Sequence, residues 1–193
     1  MLSLFSKKAR LRRQKAAELY SHVVRQARAP IFYEGYGVPD TSEGRFEMIA
    51  MHGGLLVNRL CRPDMGSEGQ ALAQAFFDVM FLSLDWSIRE MGVGDLAVPR
   101  RIKKMMSSFK GLSFAYDEAV RSGDAEIQHV LLRNIYVSER PSADVLAAMS
   151  VYVRNCVAVL EAQSLSDFSE NKIKFPHIED VQKEPHPNAN QAA

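Results

Sequence analysis

The residues with the most to offer chemically open one helix. Val98 to Ala115 holds Arg100, Arg101, Lys103, Lys104 and Lys110 and no acid. Pro99, with its fixed φ and missing N–H, suits the first position of that helix, so the cations crowd its opening turns. Positive charge there opposes the helix macrodipole, and the cations also repel one another, so local stability alone does not favour them. An anion at that end would meet free backbone N–H groups, the dipole, and guanidinium and ammonium groups together. Phospholipid headgroups, RNA phosphate and acidic protein all qualify, and the competing reading is a solvated helix face that binds nothing.

Other patterns carry less. Gly92-Val93-Gly94-Asp95 precedes a helix as a phosphate loop does, but it lacks the strand, the remaining glycine and the Lys-Ser/Thr pair, which leaves a helix–helix turn. Glu126 and His129 have the Glu-x-x-His spacing of di-iron bundles, whose chemistry needs a second such motif and two more inward carboxylates. A metal-dependent oxidoreductase built on Glu126 and His129 is therefore the enzymatic alternative, against a surface or satisfied core histidine. His52 has no serine elbow and no Cys–His–carboxylate pattern beside it, so no catalytic residue and no resident metal or cofactor is expected. Cys61 and Cys156 belong to no Cys-x-x-Cys pair and read as buried free thiols in a reducing compartment.

The elements that must position these residues are helical. Period-two alternation and Asn-Gly or Asp-Gly hairpin turns are missing, while helical period recurs along most of the chain, so the fold class is all-α, a single-domain bundle of about six helices. Residues 8–28 form a basic first helix with Leu11, Ala16, Leu19, Val23 and Ala27 as its stripe, ended by Pro30. A loop with Tyr33 and Tyr36 packs onto the bundle. The second helix begins near Asp40 to Ser42 and has two apolar faces, with Met48, Met51 and Leu55 opposite the larger one. It is either sandwiched in the core or offers its second face to a partner. Ser67-Glu68-Gly69-Gln70 fits a capping box for the third helix, whose two stripes include Trp86 and make it the expected axis of the bundle. Gly92 caps its C-terminus. Asp124 and Ser142 cap two further helices. The helical domain is expected over 1–163, and 164–193, with Pro176, Pro185 and Pro187, as an extended or disordered tail. No secretory signal is expected, because the first residues lack an apolar run with a small-residue cleavage site, and the most apolar stretch, Ala71 to Met91, carries Asp78, Asp85, Arg89 and Glu90, which argues against a membrane span. Its formal net charge of +1 predicts no polyanion partner for the chain as a whole, so any anion site must be local.

Tyr36-Gly37-Val38-Pro39-Asp40-Thr41, then Gly44-Arg45-Phe46-Glu47, resemble the ubiquinol–cytochrome c chaperone family. So do Phe77-Asp78-x-Met80-Phe81, Arg89-Glu90-Met91-Gly92-Val93-Gly94-Asp95 and Pro99-Arg100-Arg101-Ile102-Lys103-Lys104-Met105, within a likeness running from Tyr20 to Leu160. Ser42 stands where many members have Phe, which loses an aromatic contact and strengthens a helix cap. The resemblance implies a non-enzymatic assembly chaperone for the cytochrome bc1 complex (complex III) that binds newly made cytochrome b. It implies no cofactor and no DNA partner. Mitochondrial relatives work with a small partner protein and contact the ribosome. The short chain looks like the bacterial form, in the cytoplasm and peripheral to the inner membrane, or on the matrix side if eukaryotic. In that setting Arg100, Arg101, Lys103, Lys104 and Lys110 become expected contacts with an anionic membrane, ribosome or partner. Met48, Met51 and Leu55, with Tyr33 and Tyr36, are the expected client or partner groove. A general anionic-membrane or RNA adaptor is the remaining alternative.

Overall fold

The computed structural model describes residues 2–179, with side chains from residue 7 onward. Among the described residues there are eight α-helices and no strand, two helices more than periodicity predicts. Helix α1 spans Leu2–Ala27 and begins earlier than expected. Its stripe of Ala16, Leu19, Val23 and Ala27 is fully buried, but Leu11 is not. Pro30 stops α1 and also opens a short α2, Pro30–Glu34, whose Phe32 is buried. The tyrosine loop thus contains a helical turn that apolar periodicity is too short to reveal.

Helix α3, Ser42–Leu60, is capped by Thr41, whose side chain accepts from Gly44 N at 3.0 Å. It is the true axis of the bundle, because Met48 through Leu56 are buried without a break. Helix α1 covers one side of it, α4 (Gly66–Glu90) and α5 (Val98–Ser122) two more, and α7 (Ala143–Glu161) the fourth. Gly53 and Gly54 make this possible. A Cβ on Gly54 would stand 3.2 Å from Ser113 Cα, so α3 and α5 meet nearly backbone to backbone. The ion pair Arg101–Glu43 and the bond from Asn58 Nδ2 to Ser113 O show that α3 and α5 run parallel.

Helix α4 is more exposed than its sequence implies. Leu72, Phe76, Met80, Phe81, Leu84 and Ile88 are buried, but Leu82 and Trp86 face outward. Glu68 pairs with Lys8 and Arg12, and Tyr20 meets Phe76 edge-on, so α1 runs parallel to α4. Since α1 stops at Ala27, it leaves the last turns of α4 uncovered on that side. The expected capping box at Ser67 does not form. The helix starts at Gly66 after a 3-10 turn, Pro63–Met65, so Ser67 lies inside its first turn rather than at the cap, and Glu68 bonds to the α1 cation Lys8. Gly92 takes the left-handed φ of 78° just beyond α4. Pro63–Glu90 and Ala143–Glu161 are long and apolar enough to cross a bilayer by length and composition alone, but here both supply side chains to the bundle core.

Helix α6 spans Asp124–Asn134, and Asp124 is its first residue rather than its cap. The Asp124 carboxylate turns to α7, accepting from Ser150 Oγ at 3.1 Å and pairing with Arg154. Ser142 caps α7 as expected. The packed structure does not stop at 163. Ser164 and Asp167 form a reciprocal capping box for α8, Leu165–Ser169, and Phe168, Ile173 and Ile178 are all buried. The expectation of disorder toward the C-terminus lies, for residues 180–193, outside the described residues.

Candidate functional site

The opening of α5 builds the cationic face. Val98 is fully buried and pins the start of the helix, with Pro99 at its second position. Arg100, Lys103 and Lys104 are exposed, and among the described residues none has an ion-pair partner. Arg101 is half-buried and reaches Glu43 at 3.4 Å. Lys110 lies further along, its Nζ 5.5 Å from the centroid of the Phe77 ring, a cation–π arrangement. No acid occupies the first turn of α5, and its N-cap, Ala97, supplies no side-chain bond. The Val98 N–H already bonds back to Gly94 O and Pro99 has none, so it is the unpaired cations rather than free backbone donors that favour anionic partners.

Beside it runs a groove. Val57, Ala73, Phe77, Phe109 and Phe114 line the surface where α3, α4 and α5 meet, edged by Lys110, Asp117, Asn58, Gln70, Gln74 and Ser113, and Cys61, expected to be buried, is exposed there. Phe114 is 68% exposed. The rings of Phe77, Phe81 and Phe109 pack in pairs beneath it at 4.7–5.9 Å between centroids. Apolar periodicity does not single out Phe114, because one aromatic on an otherwise polar helix face carries no periodic signal.

The expected client groove is corrected. Met48 and Met51 are fully buried, and Leu55 and Tyr36 are 3% exposed, so they form no open face; Leu55 reaches only the floor of a cavity it shares with Arg59, Arg62 and Tyr116. The second apolar face of α3 is covered by its neighbours in the bundle, the fate of a helix that is apolar all round. Tyr33 is half-buried, its hydroxyl donating to Ala27 O at 2.8 Å, and it edges a shallow depression with Arg28, Asp40 and Arg45. Arg45 bonds to Asp40 and holds its carboxyl below the usual range.

Most interior polar groups satisfy one another, while the buried Tyr116 hydroxyl has no hydrogen-bond partner among the described residues. His52 is fully buried, its Nδ1–H donating to Met48 O at 2.8 Å while Nε2 accepts from the Tyr152 hydroxyl at 2.7 Å. Tyr152 accepts in turn from Gln26 at 2.8 Å, and Gln26 also reaches Pro176 O. Burial pushes the His52 pKa down to about 4, so the imidazole is neutral at ordinary pH. Arg59, missed by apolar patterning because it lies one place before Leu60, is 8% exposed and fixes the end of α7. It donates to Leu160 O and Gln163 O at 3.0 Å and pairs with Asp64. These are structural bonds that tie distant segments together. Glu126 and His129 are both exposed on α6, 3.8 Å apart, and among the described residues no group of three His, Cys, Asp or Glu gathers to hold a metal.

Fold and surface thus define an all-helical bundle whose interior polar groups serve packing and whose distinctive features are a cationic face and an apolar groove. The family model of the ubiquinol-cytochrome C chaperones matches residues 34–175, and the chain belongs to that family. It is 23% identical over 146 residues to the ubiquinol-cytochrome-c reductase complex assembly factor 1 of Xenopus laevis, spanning 76% of this chain and 72% of that protein. It is 26% identical over 151 residues to the mitochondrial protein CBP3 of Saccharomyces cerevisiae, covering 76% of this chain but 44% of the yeast protein. The crystal structure of the Cbp3 homolog from Brucella abortus superposes with a TM-score of 0.78 at 31% identity, covering 93% of this chain and 98% of the other.

Proposed function

We propose that this chain is a non-enzymatic assembly chaperone for the cytochrome bc1 complex that binds newly made cytochrome b at the membrane surface. The observation that carries the reading is membership of the ubiquinol-cytochrome C chaperone family across residues 34–175. The cationic face supports it. Arg100, Lys103 and Lys104 are held outward on a rigid helix with no acid in reach, as contact with an anionic membrane, a ribosome or an acidic partner requires. An apolar client segment needs an apolar surface, and the Phe77–Phe109–Phe114 groove replaces the buried Met48–Met51–Leu55 face in that role. The reading places the chain in the bacterial cytoplasm or mitochondrial matrix, peripheral to the membrane that receives cytochrome b.

Deletion of the gene is expected to lower haem-loaded cytochrome b and complex III while other respiratory complexes assemble normally. Complementation with Arg100, Arg101, Lys103 and Lys104 all replaced by Glu is expected to fail, with helical circular dichroism unchanged because these side chains project from the bundle. Normal haem-loaded cytochrome b in the deletion strain would sink the chaperone reading. Full rescue by the charge-reversed chain would remove the cationic face from it.

A further inference from the structure

Exposed apolar side chains are not scattered evenly over this bundle. Among the described residues the large exposed ones are Leu11, Leu82, Trp86, Met91, Leu96, Phe114 and Val137. Leu82, Trp86, Met91 and Leu96 belong to the last turns of α4 and the turn that leads into α5. Ser42 Oγ lies 4.0 Å from Met91 Sδ and Arg101 pairs with Glu43, so this elbow sits at the end of the bundle where α3 and α5 begin. Tyr136 donates to Tyr36 O at 2.8 Å, which brings the α6–α7 connection, with exposed Val137, to the same end. Leu96 is 98% exposed at the apex, and Trp86 stands 64% exposed a little over one turn behind the end of α4.

Charge at this end is arranged to match. Arg89 pairs with both Asp85 and Asp95, at 2.7 and 2.8 Å, and Arg101 pairs with Glu43, which leaves Glu90 as the unpaired acid of the elbow. Arg100, Lys103 and Lys104, in the first turns of α5, have no ion-pair partner among the described residues. Apolar apex, tryptophan set back from it and free cations beside it follow the layering of a bilayer interface, with acyl boundary, headgroup level and anionic phosphates in order. An RNA surface would use the cations but leave Leu96 and Met91 in water.

We propose that the α4–α5 elbow docks end-on into an anionic lipid bilayer, with Leu96 and Met91 entering the acyl boundary, Trp86 at the headgroup level, and Arg100, Lys103 and Lys104 on lipid phosphates. This inference rests on the membrane-surface setting of the function proposed above. It orients the bundle with α3 and α5 leading away from the membrane and the Phe77–Phe114 groove running up its side.

Trp86 is the only tryptophan of the chain, so it reports its own insertion. Vesicles of phosphatidylcholine with phosphatidylglycerol or cardiolipin are titrated into the full-length protein. The expected result is a blue shift of Trp86 emission and quenching by brominated acyl chains, both absent with pure phosphatidylcholine. Leu96→Asp, at an exposed position that leaves the fold intact, is expected to weaken partitioning roughly tenfold, and raising salt from 0.1 to 0.5 M is expected to weaken it further. The proposal is overturned by an unshifted Trp86 on anionic vesicles, by L96D binding as the parent does, or by polyuridylate producing the shift without lipid. The chaperone reading is judged separately by complex III levels. Rescue of a deletion strain by a chain that shows no vesicle binding removes the docking alone. Vesicle binding in a chain whose deletion leaves complex III intact removes the chaperone alone.

Discussion

At the scale of single residues, burial decides which ionisable groups matter. Glu47 lies half-buried on α3 with no ion-pair partner among the described residues, and desolvation raises its pKa to about 7. Unfolded, the carboxyl ionises near 4.5. Between those values the folded chain holds more protons than the unfolded one, so the Glu47 contribution to stability falls as pH rises from about 4.5 to about 7. His52 works in the opposite sense. Its folded pKa of about 4 lies below the unfolded 6.5, so its contribution is lost as pH falls through that window. The difference between parent and Glu47→Gln isolates the carboxylate, because His52 is common to both. Glu47→Gln is expected to be more stable than the parent by roughly 2 kcal/mol at pH 8 and equal to it near pH 4, allowing for solvent that still reaches the group. Urea unfolding at the two pH values reads this directly.

Among the elements, α3 governs the fold and its glycines govern α3. Helix propensity alone favours alanine over glycine by roughly 1 kcal/mol. At Gly54 the neighbour is Ser113 Cα at 3.2 Å, backbone that cannot swing away, and Ser113 Oγ donates to Asn58 Oδ1 at 2.7 Å while lying 3.3 Å from Gly54 O. Gly54→Ala is therefore expected to lose about 1–3 kcal/mol net by forcing α3 and α5 apart. Gly111→Ala, on the exposed face of α5 with open space at its Cβ, is expected to gain about 0.5–1 kcal/mol. Thermal unfolding of the pair separates contact from propensity. The same α3–α5 contact sets where Arg100, Lys103 and Lys104 point, since the buried face of α5 through Val98, Phe109, Leu112 and Tyr116 fixes its rotation.

For the whole molecule, the segment after α7 is part of the domain. Phe168 is fully buried, Gln163 bonds to Lys174 through both amide atoms, and Gln26 reaches Pro176 O. Arg59, on the central helix, holds the turn at Gln163. Removing residues 164–193 is expected to cost at least about 3 kcal/mol, from the lost burial of Phe168 and Ile173 and the loss of the bonds that Gln163 makes to Lys174 and Gln26 makes to Pro176 O. Calorimetry of the truncated chain against the parent reads this loss as a lowered melting temperature.

Much of the bundle was legible in the residues themselves. Helical period, the Thr41 and Ser142 caps, the stops at Pro30 and Gly92, and the run of cations from Arg100 are local properties, and local backbone chemistry produces them wherever the chain lies. The motifs from Tyr36 to Lys104 also sufficed to identify the family, because a family pattern is a property of order along the chain. Which apolar faces are covered is not such a property. Both α3 and α4 are apolar nearly all round, and the sequence treats Met51 and Trp86 alike as core candidates. Only packing separates them: α3 has a neighbour on every side, whereas α1 ends before α4 does and leaves Leu82 and Trp86 in solvent. The tertiary structure thus leaves exposed apolar side chains on the groove and elbow of α4 and α5 rather than on α3. Exposure depends on where the other helices stop, and no residue carries that information alone.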